Sequence, residues 1–191
     1  MPPQRTAPSP DLLDRYDPDG WYCELLGRGR ANLTREIQKR LKRLDVAALR
    51  KRTKDAEREL YNLGITFTVY SDREAIDRIL PFDVIPRILT QDDWKTIEQG
   101  AKQRVAALNH FLWDIYHDEK ILKDGVVPED LVKTNSYYRK EMHGVDVPHG
   151  TYVHICGTDL VRNEKGKFQF LEDNARTPSG VSYVIENRHL M

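Results

Sequence analysis

The sequence predicts an α+β fold: a helical N-terminal region, then a strand-bearing portion with an antiparallel β-hairpin and a final helix. Three observations predict it. Leu33, Ile37, Leu41 and Leu44 recur at spacings of four, four and three, and Trp94, Ile97, Ala101, Val105, Leu108, Leu112 and Ile115 form a longer stripe of helical period, so each set shares one helix face. Ile65-Thr66-Phe67-Thr68-Val69-Tyr70 alternates with β-branched and aromatic residues, a strand pattern. Two strand-like runs, 151–162 and 167–173, flank Asn163-Glu164-Lys165-Gly166, whose residues favour a tight turn and so a hairpin.

Along the chain, residues 1–20 hold five of the ten prolines and end in Asp17-Pro18-Asp19-Gly20. They read as a flexible leader closing in a turn. The alternating ligands and terminal Glu of a calcium loop are missing. A second helix is expected over 45–63, with Asp45 as N-cap and Gly64 as terminator. The long helix should start near Thr90, whose spacing of three to Asp93 is that of a capping box, and end near His117 with its stripe in the core. Pro128 in Val127-Pro128-Glu129-Asp130-Leu131 suits the first turn of a short helix. A last helix is expected over 181–190. The domain reading is a leader at 1–20, a basic helical region at 21–63 and one domain over 64–191.

The length, 191 residues, suits one domain or one and a fraction, with chain enough for a core. No run approaches the roughly 18 to 20 apolar residues of a membrane span. Residues 1–10 lack the apolar centre of a secretory signal. Cys23 and Cys156 stand far apart, which fits neither a disulfide framework nor a zinc knuckle. The expectation is a soluble protein of a reducing cytoplasm. Thirty basic residues balance thirty acidic ones, but 27–54 alone holds eleven basic and two acidic residues, a net +9. The remainder is correspondingly acidic.

The chemistry concentrates at the hairpin. Glu172 and Asn174 are two residues apart on a strand and share a face, with Asp173 on the other. Asp159 precedes Glu172 by thirteen residues on the partner strand, opposite or diagonal to it across the turn. Two carboxylates and an amide oxygen form a hard oxygen cluster suited to Mg²⁺, which would reverse the local sign toward an anion. Arg176 follows, able to hold a phosphoryl or acyl-phosphate oxygen with a planar fork. The segment 177–180 opens a helix whose free N–H groups also favour an anion. Ser179 there adds a hydroxyl to the site or serves as a plain N-terminal cap. The bland alternative is an Asx-rich turn at a strand end that binds nothing.

Here the residues reach a family. Gly64-Ile65-Thr66-Phe67-Thr68-Val69-Tyr70, Pro81-Phe82-Asp83-Val84-Ile85-Pro86-Arg87, Lys102-Gln103-Arg104-Val105-Ala106-Ala107-Leu108-Asn109, Gly150-Thr151-Tyr152-Val153-His154-Ile155 and the string from Leu171-Glu172-Asp173-Asn174-Ala175-Arg176 through Thr177-Pro178-Ser179-Gly180-Val181-Ser182-Tyr183 stand in order. They resemble the N-terminal part of the circularly permuted ATP-grasp type 2 family, related to glutathionylspermidine synthetase. The resemblance covers about residues 12–191. It implies a partial ATP-grasp domain over 64–191 with a metal-bearing hairpin. It also implies an ATP-dependent carboxylate–amine ligase with ATP and Mg²⁺ as cofactors, acting through an acyl phosphate on small-molecule or peptide acid and amine substrates. Asp159, Glu172 and Asn174 would be the Mg²⁺ ligands and Arg176 the phosphate or intermediate stabiliser. Arg87 and Arg139 would contact phosphate or substrate; a surface ion pair is the alternative for each. Family members continue past the segment ending at Met191, and no Gly-rich phosphate loop or nucleotide lysine is visible. The rest of the ATP site is expected from a longer chain or from a second chain, or to be missing in a remnant.

The rival reading is a non-catalytic interaction module: either a partner subunit, or a binder of nucleic acid through the basic stretch 28–54. Arg35, Lys39, Arg40, Lys42 and Arg43 could track a phosphate backbone. Aromatics for base stacking are absent from 27–54, and a solvated helix face explains the charges as well. The histidines and Cys156 form no constellation that zinc binding or nucleophilic catalysis needs.

Overall fold

The computed structural model describes residues 13, 16–26, 31–70, 75–79, 81–178 and 180–190. They form two compact units: one comprises the described residues up to 89 with 162–169 and 180–190, the other 90–161 with 170–178.

The first unit begins with the expected turn. Asp17 Oδ1 accepts from Asp19 N at 2.9 Å, and Trp21 N donates to Pro18 O at 2.9 Å. Helix α1 (Ala31–Leu41) and helix α2 (Val46–Asn62) follow. Asp45 caps α2, its Oδ1 accepting from Ala47 N at 3.1 Å. Gly64 ends it with φ +73. Ile65 N donates to Leu60 O and Gly64 N to Tyr61 O, the paired bonds of a Schellman motif. Leu41 and Leu60 are buried. Leu44, which shares the stripe by spacing, is exposed.

Strand β1 (Thr66–Tyr70) pairs antiparallel with β2 (Ala75–Ile79), from Thr66 opposite Ile79 to Tyr70 opposite Ala75. The sequence reading recognised β1 alone. Helix α6 (Val181–Leu190) also belongs to this unit and has the bounds expected.

The second unit is built on α3 (Gln91–Tyr116). Its capping box is complete: Thr90 Oγ1 accepts from Asp93 N at 3.2 Å, and Asp93 Oδ2 accepts from Thr90 N at 2.9 Å. Helix α4 (Lys120–Lys123) and helix α5 (Glu129–Lys133) fold back at the C-terminal end of α3; the short helix after Val127 is as expected, with Pro128 at its N-cap rather than in its first turn. Ile115, Tyr116 and Leu122 centre the core there. Trp94 departs from the stripe: it is 57% exposed while Ile97 is buried, because no described part of this unit covers the indole.

Strands β3 (Gly157–Arg162) and β4 (Phe168–Asn174) form a second two-stranded sheet. The short link makes the pair antiparallel, since a parallel pair needs a crossover of about a dozen residues. Residues 151–156 are not strand, contrary to the sequence expectation. Two of their amides find a side chain instead of a neighbouring strand: Asn109 Oδ1 accepts from Tyr152 N at 2.7 Å and Val153 N at 3.0 Å.

The turn uses the predicted residues. Asn163 N donates to Lys167 O at 3.0 Å, and Gly166 N donates to Asn163 O at 2.9 Å. Asn163 Oδ1 also accepts from Lys165 N and Lys167 N. Gly166 has φ +76, and a Cβ there would meet the Tyr22 ring at 2.7 Å. Beside it, Arg162 lies between the Tyr22 and Phe168 rings, 4.2 and 4.5 Å from their centroids. No helix among the described residues is long and apolar enough to cross a membrane.

Candidate functional site

Strand β4 does not alternate strictly. Phe168 and Phe170 are half-buried, then Leu171 and Glu172 are both exposed, and Asp173 is again half-buried. The hydrogen bonds show the same slip. From the closing pair Asn163 and Lys167 to the bonded side chains Thr158 and Asp173, β3 uses five residues and β4 uses six. One extra residue on β4 is the mark of a bulge. It changes which face each side chain takes. Strict alternation would put Glu172 and Asn174 on the face of Phe168 and Phe170; the slip puts Asp173 there instead.

Asp173 is anchored on the α3 side. Arg104 Nε donates to its two oxygens at 3.3 and 3.1 Å, with a further bond from Nη2. Thr158 Oγ1 donates to it at 2.9 Å. The Arg104 bond, with help from Thr158, holds the Asp173 carboxyl below the usual carboxylate range. The same guanidinium lies 4.8 Å from the Phe170 ring centroid. A Cβ on Gly100 would meet that ring at 2.7 Å, so α3 and β4 approach closely along this line.

The opposite face carries the sequence-derived candidates. Thr158 faces Asp173, so its neighbour Asp159 takes the other side. Asp159, Glu172 and Asn174 are all exposed. Asn174 Nδ2 donates to Glu172 Oε1 at 3.3 Å, directly joining two of the three. The set supplies hard oxygen donors, which match the chemistry of Mg²⁺. Among the described residues, no group of three or more His, Cys, Asp or Glu side chains is placed to hold a metal. The candidate set has two such residues and an amide.

After β4 the chain passes Arg176 and Pro178. A Cβ on Gly157, the first residue of β3, would meet Pro178 Cβ at 2.7 Å and Asn174 Cβ at 3.7 Å. The loop is therefore packed onto the base of the hairpin. Arg176 sets its guanidinium 5.2 Å from the Tyr137 ring centroid. It shares a pocket of about 550 Å³ with Arg139, Leu112, Tyr116, Tyr137, Met142 and Tyr152. Tyr116 builds the floor from the end of α3, its ring stacked on Tyr138 and Tyr152 at 5.2 and 6.0 Å. Its hydroxyl accepts from Arg139 N at 3.2 Å, which positions Arg139. Sequence reasoning chose both arginines but missed the tyrosines; the adjacent Tyr137-Tyr138-Arg139 was the available signal.

The remaining candidates lie elsewhere. Arg87, in the first unit, donates from Nη2 to Glu24 Oε1 at 2.5 Å. Arg162 also approaches Glu24, at 3.6 Å. Burial pushes the Glu24 carboxyl up, but the Arg87 bond and both guanidiniums leave it below its ordinary value. Ser179 lies outside the described residues. On the basic helices, Lys39 pairs with Glu36, and Lys51 and Arg58 with Asp55. These are the pairs of a solvated helix face.

Comparison with known proteins gives a consistent answer. The family profile described as a circularly permuted ATP-grasp matches residues 86–191. An uncharacterized protein of Synechocystis is 46% identical over 182 residues, covering 94% of this chain and 38% of that protein. An uncharacterized protein of Mycobacterium tuberculosis is 41% identical, covering 77% of this chain and 26% of its own length. A Frankia casuarinae protein provisionally named glutamate–cysteine ligase 2-2 is 38% identical, covering 95% and 21% respectively. The chain thus spans less than two fifths of each of these relatives. It belongs to the circularly permuted ATP-grasp family.

Proposed function

We propose that this chain carries the metal-binding and anion-binding part of an ATP-dependent carboxylate–amine ligase. The family membership supports it, as does the ligase name of the Frankia relative. One observation of geometry carries it: the slip in β4 anchors Asp173 to Arg104 and frees Glu172 and Asn174, hydrogen-bonded to each other, on the exposed face.

In this reading Asp159, Glu172 and Asn174 hold Mg²⁺. The ion, when bound, neutralises charge on the phosphates and turns an acidic face into one that accepts a nucleotide. Asp173 does not bind it; it fixes the strand so that its two neighbours face outward. Arg176 reaches the oxygen on which charge develops, and Arg139 contacts the same substrate from across the pocket. In the proposed reaction a substrate carboxylate oxygen bonds to the γ-phosphorus of ATP as its bond to the ADP oxygen breaks. The amine nitrogen of the second substrate then bonds to the acyl carbon, phosphate leaves, and the amine proton passes to solvent. The remainder of the nucleotide cradle comes from family sequence beyond this segment, on the same chain or a partner chain.

The test is nucleotide binding by calorimetry on the full-length protein, with and without Mg²⁺. Glu172→Gln and Asn174→Ala should each abolish the Mg²⁺-dependent part while circular dichroism stays unchanged. Unaltered Mg·ATP affinity in both variants would refute the site.

A further inference from the structure

The pocket between Arg139 and Arg176 has chemistry of its own. Its described lining offers two guanidiniums and no carboxylate, over Leu112, Met142 and three tyrosines. At about 550 Å³ it falls within the range of small-molecule sites, about 300 to 1,000 Å³. A free amine finds no counter-charge on these walls. A triphosphate, heavily hydrated and multiply charged, is poorly served by an apolar floor. A single carboxylate attached to a flat or aliphatic body suits both parts: planar forks for the anion, and ring faces for the body.

A third feature concerns Tyr152. Its hydroxyl is buried and makes no hydrogen bond. Burial first, then Asp146 and Tyr116, push its pKa up, so it stays protonated and its donor is unspent. Buried polar groups without a partner are rare in folded proteins. This one belongs to the ring stacked on Tyr116, whose own hydroxyl accepts from Arg139 N.

We infer that this pocket binds the acyl-donor substrate: Arg139 and Arg176 hold its carboxylate, and the Tyr116–Tyr152 floor selects a donor with an apolar or aromatic body over a small polar acid. Its role as acyl donor rests on the ligase reading above, whereas its ligand preference stands on the lining alone. Tyr152 supplies a hydrogen bond to the bound acid that the free protein leaves unmade.

The experiment titrates the full-length protein with hippurate by calorimetry, without nucleotide or Mg²⁺. Hippuramide, L-glutamate and inorganic phosphate serve as comparison ligands. Hippurate should bind at least about tenfold more tightly than each of the three, the size of one charge-assisted contact. Arg139→Gln and Arg176→Gln should each weaken it about tenfold. Tyr152→Phe should weaken it several-fold while leaving the thermal midpoint of the free protein equal or higher, a split that a purely structural tyrosine would not give. Equal binding of hippuramide, or tighter binding of glutamate or phosphate, overturns the inference using the unaltered protein alone. Hippurate binding that survives both arginine substitutions also overturns it. Loss of Mg·ATP binding in the Glu172 and Asn174 variants with no hippurate binding would sink this inference and spare the ligase reading; the converse pattern would do the reverse.

Discussion

Replacing Gly157 with alanine adds one methyl group to the first residue of β3, where the space for it is taken. The new carbon would stand 2.7 Å from Pro178 Cβ and 3.7 Å from Asn174 Cβ. Carbon atoms rest at about 3.5 to 4.0 Å, so Pro178 must retreat by about 1 Å. The contact on the Asn174 side is already ordinary, so the methyl has little room to slip that way. Pro178 Cβ sits next to the backbone on a rigid ring, and the movement must pass into the loop that carries Arg176. Overpacking of this kind costs about 1 to 3 kcal/mol. For a chain of this size that lowers the thermal midpoint by roughly 3 to 10 °C. A displacement of about 1 Å in the arginine can cost on the order of 100-fold in turnover. The assay is a thermal scan with a hippurate titration beside it. Gly180→Ala is the control, since a Cβ there meets no described atom within 4 Å. A midpoint within about 1 °C of the parent for Gly157→Ala, with hippurate affinity retained, would refute the packing argument.

Two further outcomes follow from the anchors. Asp173→Asn should cost on the order of tenfold in the folding equilibrium at pH 7, the size of one charge-assisted hydrogen bond. The sign of its pH dependence is set by the depressed carboxyl: the contribution is present above the ordinary value of about 3.9 and is lost as pH falls through the folded value. Thermal midpoints between neutral pH and about pH 3 should therefore fall more steeply in the parent than in the variant, and parallel curves would contradict the assignment. Thr90→Ala removes the hydroxyl that accepts from Asp93 N; it should cost about 1 to 2 kcal/mol in chemical denaturation, and a loss confined to a few tenths would mean that the α3 cap contributes little.

Local chemistry made much of the fold legible. Asp45 and Gly64 bracket α2 because a cap and a left-handed stop act within one turn of the residues that encode them. Thr90 and Asp93, Pro128 and the Asn163–Gly166 turn were readable for the same reason. Pattern failed where a distant partner decides. Residues 151–156 carry a strand-like sequence, yet Asn109, more than forty positions earlier, takes the amides of Tyr152 and Val153. Trp94 has the right period for the core and no cover. At the site, the spacing of Glu172 and Asn174 put both side chains on one face, and the hydrogen bond between them shows that shared face. The anchor that orients them was invisible: Arg104 is one of thirty basic residues and lies 69 positions from Asp173.

The extra residue in β4 makes chain length in the hairpin a matter of odd and even. Below Phe170 the strand obeys one parity; above Glu172 it obeys the other. A single deletion near Leu171 would leave five residues on each strand between turn and anchor and restore regular alternation, with Asp173 still facing Thr158 and Arg104 and Glu172 still outward. Removing two residues there would leave one too few and turn the Asp173 side chain outward and the Glu172 side chain toward Arg104. The hairpin can therefore lose its one extra residue without inverting which acid is held and which is offered, but not a second.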